Sequence, residues 1–139
     1  MFFSNFFMEN KNIEIIGAGL SGLLLAYYIF KNTNKFNVTV YEKNSSIHKN
    51  KNFCFWLEKN KKFEFSELVL KKWNSWYFST PNDFVVHKSN LFEYVWLKSD
   101  DLFCFILGEL NRFNNFSIIY DCEIKSDHKA DYVFDSRNV

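Results

Sequence analysis

The feature that most constrains this chain is Ile13-Glu14-Ile15-Ile16-Gly17-Ala18-Gly19-Leu20-Ser21-Gly22, an apolar run that ends in a GxGxxG turn and continues into the apolar stretch Leu23 to Phe30. The pattern predicts a strand, a tight turn and a helix in immediate succession. Each glycine answers a separate physical demand. Gly17 permits the sharp turn, Gly19 lets backbone approach a pyrophosphate, and Gly22 lets helix and strand pack closely. Unpaired N–H groups at the positive end of the helix dipole would then hold the phosphates. Gly17, Ala18, Gly19 and Gly22 are the candidate pyrophosphate cradle.

A second apolar strand, Val38-Thr39-Val40-Tyr41, ends at Glu42, about twenty residues beyond the last glycine, where a carboxylate accepts from a ribose 2′-OH. An acid there favours the unphosphorylated ribose of FAD or NAD over that of NADP. Lys43 follows, either near the phosphate edge of the adenosine or on the surface. A buried apolar element without a ligand is the plain alternative. Against it stand the preceding strand, the following helix and the acid at the end of the next strand. A membrane helix is excluded because Ser21 and the three glycines interrupt a run shorter than the roughly 20 residues a bilayer needs.

At 139 residues the chain is long enough for one domain with a real core, and short for a complete dinucleotide-dependent enzyme. Net charge is +1, with lysines scattered among asparagines and acids, so no basic stripe points to nucleic acid. Cys54, Cys104 and Cys122 lie far apart with no CxxC pair. That argues against a disulfide framework and against a metal site, and predicts buried or half-buried thiols in a reducing cytoplasm. The opening Met1 to Met8 is apolar but lacks a positive flank and is too short for a secretory signal. It reads as a tail, with a membrane-touching role for Phe2, Phe3, Phe6 and Phe7 as the other reading. The 18 Phe accompany abundant Lys and Asn, a pattern that biased base composition in the gene produces, so the count is not read as an aromatic-lined site.

Further along, Lys43 to Asn52 is polar and predicts a loop, Phe53 to Leu57 a strand and Lys59 to Lys62 a charged turn. Phe63 to Trp76 is ambiguous between helix and strand. Pro81-Asn82-Asp83 signals a turn between two β-rich runs. Phe92 to Leu97 is a strand by propensity. Ser99 reads as an N-cap with Asp100 and Asp101 in the first turn, starting a helix that should end near Asn114-Asn115. Ser117 to Tyr120, Cys122 to Lys125 and Tyr132 to Phe134 read as three short strands. Asp135 and Arg137 then end a strand where α/β sheets bind ligands, as ligand contacts or as a local ion pair. His48, His87 and His128 have no partners at metal or triad spacing and are expected to be exposed.

The order is α/β: a Rossmann-like βαβ lobe over 11–45, a mainly β insertion over 53–97, and a helix with strands over 99–139. An insertion after the second strand points to FAD more than to a simple NAD dehydrogenase.

These residues resemble the FAD-binding lycopene cyclases of bacterial carotenoid biosynthesis, whose fold is similar to that of flavin-dependent monooxygenases. The resemblance rests on the glycine turn, Val40-Tyr41-Glu42-Lys43, Asn52-Phe53-Cys54-Phe55-Trp56, Trp73, Trp76, Tyr94 to Leu102, and Val133-Phe134-Asp135-Ser136-Arg137. Phe53, Lys98 and Asn138 depart from it, where Trp, Arg and Pro are expected; an ammonium at Lys98 cannot replace a bidentate guanidinium. The resemblance implies a redox-neutral closure of lycopene ends into β-ionone rings, with reduced FAD, NAD(P)H as a reductant, a carotenoid substrate and peripheral contact with the inner face of the membrane. Family members are considerably longer, so the chain resembles an N-terminal fragment whose catalytic acid and most of whose substrate lobe lie elsewhere. No catalytic residue is assigned within it. Two other readings stand beside this one: a flavin-dependent hydroxylase or reductase of the same fold, and a non-catalytic nucleotide-binding module.

Overall fold

The structure, a computed structural model, describes residues 10–47, 50–124 and 129–137. Its elements run β1 (Lys11–Ile16), α1 (Leu20–Asn32), β2 (Phe36–Tyr41), β3 (Asn52–Glu58), a 3₁₀ turn (Ser66–Leu68), β4 (Lys71–Trp73), β5 (Ser75–Ser79), β6 (Phe84–Lys88), β7 (Phe92–Lys98), α2 (Ser99–Leu110), β8 (Phe116–Ile119) and β9 (Tyr132–Asp135). They divide between two units, one of Met1–His48 with Phe105–Val139 and the other of Lys49–Cys104.

The first unit is mixed α/β and Rossmann-like, as expected. Its four strands lie in the order β8-β2-β1-β9, all parallel, with Ile15 opposite Val40 on one side and Phe134 on the other. Alternation along β1 and β2 puts Ile13, Ile15, Val38 and Val40 on one face, where they are buried. Asn12, Asn37 and Thr39 point the other way, and Thr39 shares a 3.1 Å hydroxyl contact with Ser117. On α1 the buried residues are Gly22, Leu23, Ala26, Tyr27 and Phe30, the spacing that lines one face of a helix. Phe30 stacks on Phe113 at 4.6 Å and meets Phe116 edge-on at 6.1 Å. Ile106 and Leu110 of α2 are fully buried here.

The second unit is antiparallel. Strands β3 and β4 flank β7, and the register sets Phe53 against Leu97 and Phe55 against Val95. These inward residues, with Phe65, Leu102 and Phe103, form a small core. The outward positions carry aromatics: Trp56 lies 4.7 Å from Tyr94 and 4.3 Å from Trp76. Strands β5 and β6 form a separate hairpin, whose Thr80-Pro81-Asn82-Asp83 tip matches the turn read from sequence.

Several expectations are corrected. Ser99 does not cap α2 from outside. It belongs to the helix, and its Oγ accepts the Lys51 N–H at 2.9 Å while its own N–H donates to Lys51 O. The helix ends at Leu110, short of Asn114, because the chain tightens into Phe113 N–H to Leu110 O and the Asn115 side chain donates to Asn34 O and Phe36 O. Cys122 to Ile124 is not a strand: Asp121 adopts φ +52° and turns the chain off the sheet. The ambiguous 63–76 segment holds a 3₁₀ turn and β4, and leads into β5. Cys54 and Cys104 are exposed rather than buried, and all three thiols are free. His87 is exposed and lies flat on Trp76. His48, His128, Lys125, Asn138 and the opening phenylalanines lie outside the described residues.

Candidate functional site

In a parallel sheet the strand ends share one edge, and here that edge carries Gly17 after β1, Glu42 after β2 and Ser136 after β9. Strand β1 sits between β2, reached through α1, and β9, reached only after β8, so the chain reverses direction across the sheet at β1. Crevices at such switch points are where open α/β sheets take ligands.

Gly17 adopts φ +99°, a conformation costly for any residue with a β-carbon, and its N–H continues the ladder to Tyr41 O at 2.7 Å. Gly22 is required for packing: a β-carbon there would stand 2.1 Å from Gly17 O and 3.2 Å from Ile15 Cγ2. Gly19 is different, since a β-carbon there would meet nothing within 4 Å. It is exposed and takes the N-cap position of α1 without a side-chain cap, and no acid occupies the first turn. The first N–H groups of a helix have no intrahelical partners. Open space beside uncapped amides at a positive helix end is a cradle that suits an anion.

Glu42 is buried, and its carboxylate is heavily engaged. Oε2 accepts the Ala18 N–H at 3.0 Å, and Oε1 accepts the backbone N–H of Asn44 at 3.0 Å and its side-chain amide. Three donors leave about one of the four lone-pair sites of a carboxylate for a further partner. The strand–acid spacing thus brings Glu42 to the glycine turn, where it anchors the amide of Ala18. Tyr120 neighbours this acid; burial first and the Glu42 charge second raise its phenol above 10.0. Lys43 is exposed, next to Asn44 in the bend that follows β2.

Asp135 and Arg137 form a local ion pair with two parallel contacts, Nη2 to Oδ2 at 2.6 Å and Nε to Oδ1 at 2.9 Å. Bonding to Asp135 holds the Arg137 guanidinium above its usual range, and Nη1 also donates to Ile124 O at 3.0 Å. Of the two readings of this pair, the ion pair closing the turn is what the geometry displays. Sequence reasoning missed Ser136 between them. Its N–H donates to Ile16 O at 2.9 Å, and its Oγ lies 3.0 Å from Gly17 O. It also missed Asn44, for which Asn two residues after an acid was an available turn signal. Among the described residues no cluster of three or more His, Cys, Asp or Glu is placed to hold a metal ion.

Comparison with known proteins agrees with this geometry at two levels. Residues 15–48 match the NAD(P)-binding Rossmann-like domain family, the stretch from β1 through the bend after β2. Among solved structures the fold resembles pqsL, a probable FAD-dependent monooxygenase from Pseudomonas aeruginosa, with a TM-score of 0.62 at 12% identity over 87% of this chain and 35% of that one. It also resembles a mutant of MHPCO, with a TM-score of 0.59 at 14% identity over 81% of this chain and 32% of that one. The chain spans about a third of the length of these structures. At such identities the likeness is one of fold. Sequence comparison with curated proteins gives no match.

Proposed function

We infer that this chain binds the adenosine-pyrophosphate portion of a dinucleotide, FAD by preference. The observation that carries the reading is the contrast among the three glycines: two are locked by their neighbours, while Gly19 opens onto free space at an uncapped helix start. The uncapped amides after Gly19 would take the pyrophosphate, and Glu42 the ribose hydroxyls through its remaining lone pair. An anionic side chain at that position repels a 2′-phosphate, which supports FAD or NAD over NADP. The bound flavin supplies hydride or electrostatic chemistry; what these residues do is bind and orient its nucleotide end.

For the activity, the lycopene cyclase reading rests on the blocks around Phe53 to Trp56, Tyr94 to Leu102 and Phe134 to Arg137, the last of which lies at the edge of the glycine turn. A carotenoid substrate and peripheral membrane contact belong to this reading. No described helix is long and apolar enough to cross a membrane. The second reading, a flavin-dependent monooxygenase, is favoured by the structural neighbour described as a probable FAD-dependent monooxygenase. Titrating the chain into FAD and following flavin fluorescence, with ADP binding followed by calorimetry, tests the shared part; saturable binding is expected, and no binding of either FAD or ADP overturns the reading. Colour change of lycopene in a lycopene-making bacterium carrying the gene, set against substrate-dependent NAD(P)H consumption, separates the two activities.

A further inference from the structure

The peptide joining Gly17 to Ala18 is gripped at both ends. Its carbonyl oxygen lies 3.0 Å from Ser136 Oγ, and its N–H donates to Glu42 Oε2 at 3.0 Å. The hydroxyl also lies 3.1 Å from Ile16 O, but that carbonyl already accepts the Ser136 backbone N–H, so Gly17 O has the greater need of its proton. The two grips come from strands on opposite sides of β1, since Glu42 follows β2 and Ser136 follows β9.

In a trans peptide C=O and N–H point in opposite directions. A carbonyl turned toward Ser136 therefore presents the amide to Glu42, and a flip of this peptide breaks both bonds at once. The same hydroxyl stands 3.0 Å from the β-carbon positions of both Gly17 and Gly22, so it also fills the point where turn and helix cross. We propose that Ser136 is a positioning residue of the nucleotide site: with Glu42 it clamps the Gly17–Ala18 peptide and so presents the following amides to a pyrophosphate. The proposal rests on the dinucleotide reading above. It assigns a role to a hydroxyl 120 residues from Ile16 in sequence.

The test uses the full chain and two variants, Ser136→Ala and Ser136→Thr, with amide hydrogen exchange read by NMR and FAD and ADP affinity read by fluorescence and calorimetry. In Ser136→Ala the Ala18 amide is expected to exchange faster while the amides of Ile13 and Ile15 in β1 keep their protection. FAD and ADP binding should weaken roughly three- to tenfold, the worth of one neutral hydrogen bond. Ser136→Thr, which keeps the hydroxyl, should restore both. Unchanged Ala18 exchange, or loss of protection at Ala18 and β1 in parallel, overturns the clamp, the second outcome marking Ser136 as structural only. A wild-type chain that binds neither nucleotide overturns the dinucleotide reading and the role assigned to the clamp, while the Ala18 response in the same spectra reports separately whether the clamp exists.

Discussion

Two tight reversals of this chain are built in opposite ways. The hairpin tip at Thr80 to Asp83 is made by its own residues: Thr80 N–H donates to Asp83 O at 2.7 Å, Asp83 N–H to Thr80 Oγ1 at 3.1 Å and Phe84 N–H to Asp83 Oδ1 at 2.7 Å. The glycine turn is made by residues far away, with Glu42 and Ser136 bracketing it from separate strands. The flanks differ as well. The hairpin leaves Tyr77, Phe78 and Phe84 at least 64% exposed, whereas Ile15, Ala18 and Leu23 beside the glycine turn are at most 1% exposed. A locally made turn holds its shape whatever surrounds it and connects two strands. In the turn shaped by distant strands the Gly17–Ala18 peptide is satisfied from behind, and the uncapped amides after Gly19 are left facing outward.

This contrast breaks most sharply at Gly22. Gly22→Val forces a β-carbon onto Gly17 O, and we expect a loss of about 3 kcal/mol or more, at the upper end of overpacking costs, together with loss of flavin binding. A urea unfolding curve shifted by less than about 1 kcal/mol would refute the packing argument. Gly19→Val separates shape from function. Stability should fall by under about 1 kcal/mol, the size of an N-cap change, while FAD affinity drops roughly 100-fold, about 2.7 kcal/mol, because the side chain fills the space the backbone approach needs. Equal losses in both quantities would mean that Gly19 serves the fold.

At the hairpin the expectation reverses. The double change Phe78→Ser and Phe84→Ser should move the unfolding free energy by about 0.5 kcal/mol or less and raise the concentration at which the chain aggregates, because clustered apolar surface is what associates. Light scattering against concentration measures this. The smallest effect is expected at alkaline pH. Burial raises the phenols of Tyr41 and Tyr120 above 10.0. Their neutral forms are thus favoured in the fold, and their contribution to stability is complete below pH 10 and is lost as pH rises through the folded-state values. Unfolding curves between pH 9 and about 11.5 should show a fall that Tyr41→Phe with Tyr120→Phe removes.

The parts of this structure legible in sequence are those whose cause is local. The apolar alternation of β1 and β2, the glycine spacing and the acid after β2 each state a local demand, and α1 begins three residues earlier than its apolar run because Gly19 serves as its cap. Ser99 looked like a cap for the same local reason, yet its hydroxyl is claimed by Lys51, 48 positions away. Phe113 keeps helical spacing beyond the end of α2 because it packs on Phe30, so the apolar period outlasts the helix. The Cys122 segment has strand-like residues, but the positive φ at Asp121 takes it off the sheet after one bond, Cys122 N–H to Glu42 O. Ser136 was hidden most completely, since nothing in its neighbourhood announces a partner at the other end of the chain. Among the described residues Trp56 is 48% exposed, and the most exposed large apolar side chains are Tyr77, Phe78 and Phe84 of the hairpin.

The reach of Ser136 to Ile16 and Gly17 has a consequence in time. The two partners are separated by 120 positions, so a ribosome that has just made the glycine turn needs roughly 6 to 24 seconds, at about 5–20 residues per second, to supply the hydroxyl that completes it. Contacts of that separation are also the slow ones to close. During synthesis the β5–β6 hairpin has the partners of its turn before the glycine turn, made earlier, receives the Ser136 hydroxyl.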